Sequence, residues 1–190
     1  MVHHVVLVGL MGSGKSTVGR RLAARLEREF IDADDALVEI ADRSIADIFA
    51  TDGESGFRAI EADVLEELLE HHTPAIIASG GGVVLREENR ARLRSPGVTT
   101  VWLTARPAFL ASRTSPKPHR PLLSGDEDPR EVLARLDAER GPLYREVADI
   151  TIDVEPFHLE DDKPKSVLAD RLAELIVAHE ASLPAEDAAS

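Results

Sequence analysis

The sequence predicts an α/β fold in which a five-stranded parallel sheet is flanked by helices. Two observations carry this prediction: short apolar runs alternate with segments of helical periodicity, and the apolar runs are continuous. A continuous apolar run is typical of a strand whose two faces are both covered, as in a parallel sheet. The five predicted strands are Val5–Gly9, Glu29–Asp32, Ala75–Ser79, Thr99–Leu103 and Ala148–Asp153.

Helical patterns fill the intervals between these strands. The first predicted helix, Lys15–Glu29, repeats apolar residues every four positions, which indicates one buried face. Two short helices, Asp34–Asp42 and Ser44–Ala50, precede a predicted turn at Asp52-Gly53. A long helix then ends near His71.

The acidic composition limits the partners that we expect. The chain has 190 residues, a net charge of −13 and no cysteine. Such a chain repels nucleic-acid phosphates unless its basic residues cluster, so we expect no nucleic-acid partner. It has no apolar run near the roughly 18 residues that span a bilayer and no charged signal-peptide start, which favours a cytoplasmic protein without membrane contact. Local cations must therefore hold any small anionic ligand.

The stretch LVGLMGSGKSTVGRRLA predicts a phosphate-binding loop. Its spacing, Gly9-x-x-x-x-Gly14-Lys15-Ser16, lies between a predicted strand and a predicted helix. Glycines leave backbone N–H groups free to surround a phosphate, and the helix adds the positive end of its dipole. Lys15 can then reach the outer phosphates, and Ser16 can bind the Mg²⁺ that accompanies ATP.

Charged residues after the other strands suggest a second substrate. Asp32 and Asp34 are two residues apart, so on an extended chain one can serve Mg²⁺ and the other an acceptor hydroxyl. The alternative is that they cap the next helix. Arg58, with Glu61 one turn later, can bind a carboxylate as a guanidinium fork or can form an ordinary exposed ion pair.

Glycines and arginines complete the candidate site. Three glycines after the third strand, Gly80, Gly81 and Gly82, would let a ligand lie against the backbone. The proline-rich segment SRTSPKPHRPLL carries Arg113, Lys117 and Arg120, which is typical either of a phosphate-contacting lid or of a solvated linker. Arg140 is followed by Gly141-Pro142, which we expect to interrupt a helix and turn this arginine toward the cleft.

The chain resembles the shikimate kinase family over roughly residues 4–177. The resemblance rests on the order and spacing of GLMGSGKSTVGRRLA, FIDADDALVE, RSIADIFATDGESGFRAIEADVL, ASGGGVV, HRPLL and RGPLYREVAD. It implies a P-loop fold of the nucleoside-monophosphate-kinase type with a mobile lid and substrate-binding helices. It also implies transfer of the ATP γ-phosphate to the 3-hydroxyl of shikimate, in the chorismate route to aromatic amino acids.

The resemblance also implies roles for individual residues. Asp34 would bind the acceptor hydroxyl and take its proton, while Ser16 and Asp32 would hold Mg²⁺, the latter through water. Lys15 and Arg120 would act on the phosphates as catalytic residues with Asp34, and Arg113 would lie near adenine. The ATP-binding loop would comprise Gly12, Ser13, Gly14, Lys15, Ser16 and Thr17. The shikimate site would comprise Asp34, Arg58, Glu61, Gly80, Gly81, Gly82 and Arg140.

The resemblance implies one domain and leaves two alternatives. The kinase domain would cover residues 1–179 of a monomer, with a substrate-binding insert at about 33–61, a lid at about 112–127 and a disordered tail at 180–190. The segment DVEPFHLEDDKPKSV lacks the expected arginine, so Phe157 or His158 would stack on adenine unless both lie on a surface loop. The alternatives are a related kinase of another small acceptor, such as gluconate or a nucleotide, and a non-enzymatic ATP-binding module.

Overall fold

The computed structural model describes residues 3–114, 127–160 and 164–184. Five parallel strands form one sheet in the order β2-β3-β1-β4-β5, which confirms the predicted fold class. Each predicted strand is present, with ends that differ by at most two residues. The strands are β1 His4–Val8, β2 Glu29–Asp32, β3 Ala75–Ala78, β4 Val98–Thr104 and β5 Ile150–Asp153.

Eight helices and one 3₁₀ turn occupy the described part of the chain between and after the strands. The 3₁₀ turn, Val83–Leu85, directly follows the glycine triplet. In this part of the chain, no helix is both long and apolar enough to cross a membrane. The helices are α1 Lys15–Leu26, α2 Ala33–Ala41, α3 Ile45–Leu69, α4 Glu87–Leu93, α5 Pro107–Ser112, α6 Pro129–Val147, α7 Glu155–Glu160 and α8 Pro164–Ser182.

The central strand β1 organises the core and the site. It pairs with β3 on one side and with β4 on the other, and all five of its residues are buried. Because every strand runs in the same direction, the carboxyl ends of β1, β2 and β3 meet at one edge of the sheet. Ligands of open α/β sheets bind at this edge, so the phosphate loop, the aspartates and the glycine triplet belong to one region.

Four boundaries differ from the prediction. The predicted turn at Gly53 is a kink inside α3, where φ is 68° and ψ is −173°. The predicted break at Pro142 is wrong, because α6 continues through this proline to Val147. Phe157 and His158, for which a surface loop was one alternative, lie in α7. Finally, α8 extends past residue 179 to Ser182, and Glu180 in its last turn forms a two-point ion pair with Arg28, which directly precedes β2.

Candidate active site

The phosphate loop joins β1 to α1 through glycines in conformations that other residues rarely adopt. Gly9, Gly12 and Gly14 have φ values of 138°, 86° and 94°. At Gly12, a Cβ atom would also lie 2.6 Å from Thr114 Oγ1 and 2.7 Å from the Leu110 carbonyl oxygen. The sequence therefore places glycines where both the backbone conformation and the space require them.

Lys15 is the first residue of α1 and is held across the loop. Its Nζ donates hydrogen bonds to the carbonyl oxygens of Gly9 at 2.7 Å and Leu10 at 3.2 Å. These contacts keep a positive charge at the mouth of the loop, beside the amino end of α1. The loop thus combines an ammonium group and a helix dipole at one anion-binding position.

Asp32 and Asp34 stand at the carboxyl end of β2. Asp32 caps α2, because its Oδ1 accepts a hydrogen bond from the Asp34 backbone N–H at 3.2 Å. The Asp34 side chain lies close to Gly80, in the connection that follows β3: a Cβ atom at Gly80 would lie 3.3 Å from Asp34 Oδ1. The capping alternative is therefore correct for Asp32, and the carboxylates of both residues also line the same cleft.

Arg58 and Glu61 form a buried ion pair, so the exposed alternative is wrong. Arg58 Nη1 donates to Glu61 Oε2 at 2.7 Å, and the two side chains are only 12% and 7% exposed. A second carboxylate, Glu54, lies 3.3 Å from Arg58 Nη2 but is 56% exposed. Burial raises the pKa of Glu61, Arg58 opposes that rise, and the charge of Asp34 adds to it.

The glycine triplet leaves room for these charged side chains. A Cβ atom at Gly80 would lie 2.5 Å from Glu61 Oε1, and one at Gly82 would overlap the Arg58 guanidinium. A side chain at Gly80 or Gly82 would therefore displace Glu61 or Arg58 from its present position. In the described part of the chain, neither Glu61 Oε1 nor Arg58 Nε has a hydrogen-bond partner, although both atoms are buried.

Arg140 enters the same cleft from α6. It is 4% exposed, and its Nη1 donates to the Gly81 carbonyl oxygen at 3.1 Å. The same oxygen accepts a hydrogen bond from the hydroxyl of Tyr144 at 2.5 Å. Because α6 is continuous, Arg140 and Tyr144 are one turn apart on one face, so an unbroken helix rather than a break aims this arginine. Burial raises the pKa of Tyr144 and keeps its hydroxyl protonated.

Arg113 lies at the phosphate loop on the side opposite the glycine triplet. Its Nε donates to the Gly12 carbonyl oxygen at 3.3 Å, and its guanidinium lies 5.3 Å from the centre of the Phe109 ring. Partial burial lowers the pKa of Arg113 below its ordinary value without removing its charge at neutral pH. Lys117 and Arg120, which complete the predicted lid, lie outside the described residues.

One cleft of about 800 Å³ brings together nearly all the predicted site residues that the structure describes. Ser13 is the exception, because its side chain is buried in the loop and does not line the cleft. Phe157 and His158 do not line it either; His158 Nδ1 instead contacts the Val154 carbonyl oxygen at 2.9 Å. The predicted residues that do line it are Gly12, Gly14, Lys15, Ser16, Thr17, Asp32, Asp34, Arg58, Glu61, Gly80, Gly81, Gly82, Arg113 and Arg140.

An apolar wall and one further cation of the cleft were not predicted from the sequence. Phe49 and Phe57 stack with ring centroids 4.6 Å apart and face the cleft beside Arg58. The position of Phe57 directly before Arg58 was the available signal, but the spacing of the two phenylalanines is also that of core residues. Lys165, in the first turn of α8, lines the cleft as well.

Residues for a metal ion are few. Among the described residues, no group of three or more His, Asp or Glu side chains could hold one. Ser16 and Asp32 both line the cleft next to the phosphate loop. This pair fits Mg²⁺ bound mainly by phosphate oxygens and water, because Mg²⁺ that binds together with phosphates takes only one or two ligands from the protein.

This fold and cleft define the class of P-loop kinases that act on a small acceptor. A phosphate loop lies at one end of the cleft, and buried arginines face an aspartate at the other. The family model described as shikimate kinase matches residues 11–174. The chain belongs to the shikimate kinase family.

Individual relatives agree with this assignment along most of the chain. A shikimate kinase of Actinobacillus succinogenes is 42% identical over 173 residues, which are 91% of this chain and 94% of the relative. One from Rhodopseudomonas palustris is 49% identical over 148 residues, or 78% of this chain and 71% of the relative. The structure of shikimate kinase from Acinetobacter baumannii in complex with shikimate has a TM-score of 0.84 and 36% identity, covering 95% of this chain and 96% of the other.

The gluconate alternative has weaker support. A gluconokinase structure from Sinorhizobium meliloti has a TM-score of 0.52 and is 21% identical, covering 93% of this chain and 96% of the other. At that identity, the likeness concerns the fold alone.

Proposed function

We propose that this protein transfers the γ-phosphate of ATP to the 3-hydroxyl of shikimate, giving shikimate 3-phosphate and ADP in the chorismate route. The observation that carries the proposal is the pair of buried arginines, Arg58 and Arg140, beside Asp34 and the glycine triplet. Two guanidinium groups suit a carboxylate, and an aspartate suits a hydroxyl. Membership of the shikimate kinase family supports the same acceptor.

The nucleotide would bind at the end of the cleft formed by the phosphate loop. The N–H groups of Gly12, Ser13, Gly14, Ser16 and Thr17 would surround its phosphates, with Lys15 on the outer ones. Arg113, fixed against Gly12 and Phe109, would lie toward adenine. Ser16 and Asp32 would hold Mg²⁺, which neutralises charge that develops on the phosphates. Arg120 remains a predicted phosphate contact outside the described residues.

The acceptor would bind at the other end, between α3, α6 and the glycine triplet. Arg58 and Arg140 would hold its carboxylate, and Gly80, Gly81 and Gly82 would allow its ring to approach the backbone closely. Glu61 would orient Arg58 through their 2.7 Å contact. Each charge-assisted hydrogen bond contributes roughly 1.5–3 kcal/mol, so this end would favour an acid over a neutral polyol.

Asp34 would accept the proton in the transfer step. The acceptor oxygen forms a bond to the γ-phosphorus while the bond from that phosphorus to the bridging oxygen of ADP breaks. The hydroxyl proton passes to an Asp34 carboxylate oxygen, and ADP leaves with the bonding electron pair. The position of Asp34 beside Gly80 supports a base on the acceptor side of the cleft rather than on the nucleotide side.

The remaining assignments are proposals of the same kind. We expect a cytoplasmic monomer formed by one kinase domain, with residues 33–61 as the substrate-binding insert. The segment 112–127 is proposed as the lid on the basis of the resemblance, and most of it lies outside the described residues. The stretch 185–190 of the predicted tail also lies outside them.

The test is ADP release at fixed MgATP with and without an acceptor. We expect strong stimulation by shikimate and little by gluconate, quinate or a nucleoside monophosphate. A related kinase with another acceptor would respond to one of those controls instead. A folded protein that binds ATP but responds to no acceptor would contradict the proposal and favour the binding-module alternative.

A further inference from the structure

Tyr144 is a buried residue next to the acceptor end of the cleft that the mechanism above does not use. It is the only tyrosine in the sequence, and it is fully buried. Its ring stacks on Trp102 of β4, with centroids 5.8 Å apart, while its hydroxyl donates to the Gly81 carbonyl oxygen at 2.5 Å. A buried tyrosine hydroxyl needs a partner, and here the partner is the glycine surface of the candidate site.

The Gly81 carbonyl oxygen accepts two hydrogen bonds, one from Tyr144 and one from Arg140 at 3.1 Å. A carbonyl oxygen has two lone pairs, so both are used. Both donors come from α6, and they fix the direction of this carbonyl toward that helix. Since a trans peptide group is planar, the N–H of Gly82 must point the opposite way.

That Gly82 N–H is available to a ligand. In the part of the chain that the structure describes, no protein group accepts a hydrogen bond from it. Gly82 lines the cleft and lies directly against the Arg58 guanidinium. An anion that contacts Arg58 here would therefore also meet a backbone donor whose direction Tyr144 helps to set.

We propose that Tyr144 is a positioning residue for the acceptor carboxylate. Its hydroxyl holds the Gly81–Gly82 peptide so that the Gly82 N–H keeps pointing away from α6, toward a carboxylate bound at Arg58. Without this hydroxyl, Arg140 alone among the described residues donates to the Gly81 oxygen, and the peptide loses one of its two restraints. The inference rests on the proposed function, because it requires a carboxylate acceptor at this end of the cleft.

The first test compares Tyr144→Phe with Trp102→Phe. The former removes one hydroxyl and keeps the stacked ring, whereas the latter disturbs the stack and keeps the hydroxyl. We expect Tyr144→Phe to raise the KM for shikimate about three- to tenfold, as for the loss of one hydrogen bond, with the KM for ATP unchanged. Trp102→Phe should lower the melting temperature without this change. An equal rise in both variants would overturn the inference, because ring packing alone would then explain it.

A neutral ligand separates positioning from general loosening of the site. Calorimetric titration should show weaker binding of shikimate to Tyr144→Phe, but nearly unchanged binding of shikimate methyl ester, which lacks the carboxylate charge. If the substitution weakens acid and ester equally, or neither, Tyr144 does not act on the carboxylate.

A second measurement does not depend on how well Tyr144→Phe folds. Because the chain has one tyrosine, growth on 3-fluorotyrosine labels position 144 alone. We expect its ¹⁹F resonance to shift on saturation with shikimate and to stay in place with the methyl ester. An unchanged resonance when shikimate is bound would overturn the inference and leave the proposed function intact. Absence of shikimate binding to the wild-type protein would instead contradict the proposed function.

Discussion

The two edges of the sheet both carry many charged residues, but they use them differently. At the carboxyl edge, the buried Arg58, Glu61 and Arg140 face a cleft and keep polar atoms without protein partners among the described residues. At the amino edge, Arg28 pairs with Glu180 at 2.7 Å and 2.8 Å, and His3 contacts Thr99 Oγ1 at 2.7 Å. The first contact joins α8 to the segment before β2, and the second joins the residue before β1 to β4.

The difference between the two edges distinguishes polar groups that bind a ligand from polar groups that stabilise the fold. Arg28 and Glu180 at the amino edge pair with each other, and the ring nitrogens of His4 there, which lack a hydrogen-bond partner among the described residues, do not line the cleft. At the carboxyl edge, glycines leave space beside the charged groups, and a side chain at Gly80 or Gly82 would displace Glu61 or Arg58. Buried, unpartnered polar atoms next to such glycines indicate a ligand, whereas polar strand ends alone do not.

Removing Lys15 should have the largest effect on the carboxyl edge. Lys15→Ala loses the ammonium that lies at the mouth of the phosphate loop, so we expect kcat to fall by about a thousandfold or more. Steady-state ADP release at saturating substrates measures it. Arg21→Ala, which removes an exposed cation of the same helix that donates to the Thr17 carbonyl oxygen, is the matched control and should leave kcat unchanged. Normal kcat in Lys15→Ala would refute the role of the loop.

Asp34→Asn tests the proposed base without altering shape. The amide cannot take the acceptor proton, so kcat should fall by about a hundredfold or more while ATP still binds. Single-turnover kinetics and a nucleotide titration separate the two quantities. Asp35→Asn changes the exposed neighbouring carboxylate and serves as the control. If both variants lose the same fraction of activity, general electrostatics rather than a specific base explains the loss.

Arg58→Ala should act on acceptor binding. Loss of its charge-assisted contacts should raise the KM for shikimate about ten- to a hundredfold and leave the KM for ATP unchanged. Arg43→Ala is a suitable control, because Arg43 pairs with Asp52 near the same helix but is more exposed. An effect confined to ATP would contradict the assignment of this end of the cleft to the acceptor.

Local patterns in the sequence were enough to predict the strands and most of the site. The phosphate loop and the aspartates follow strands directly, so their place at the carboxyl edge follows from a parallel sheet. The order of the strands and the burial of Arg58 could not be predicted from such local patterns. That burial depends on Gly82, which lies in a different strand connection and packs on the guanidinium.

The same limit explains the residues that were missed or misjudged. Tyr144 occupies a helix position typical of a core residue, and its partner Gly81 lies 63 residues earlier in the chain. Pro142 predicted a helix break, but Arg140 and Tyr144 on the same helix both bond to Gly81, and this packing offsets the lost backbone hydrogen bond. Long-range contacts thus decided both features.

His4 offers the smallest and most specific test of the amino edge. It begins β1, is only 2% exposed, and has its pKa lowered from the ordinary 6.5 mainly by burial, with partial compensation from the His71 backbone. The unfolded chain therefore binds a proton more readily, so stability is complete above about pH 6.5 and declines as the pH falls toward the lower folded value.

His4→Val should remove this decline. Between pH 7.5 and 5.5, the melting temperature of the wild type should fall further than that of His4→Val, because the wild type gains this additional proton on unfolding. His72→Val, at an exposed position of the same edge, should behave like the wild type. Equal pH dependence in all three proteins would show that other groups govern acid stability, whereas a parallel loss of kcat in His4→Val at neutral pH would break the distinction between the two edges.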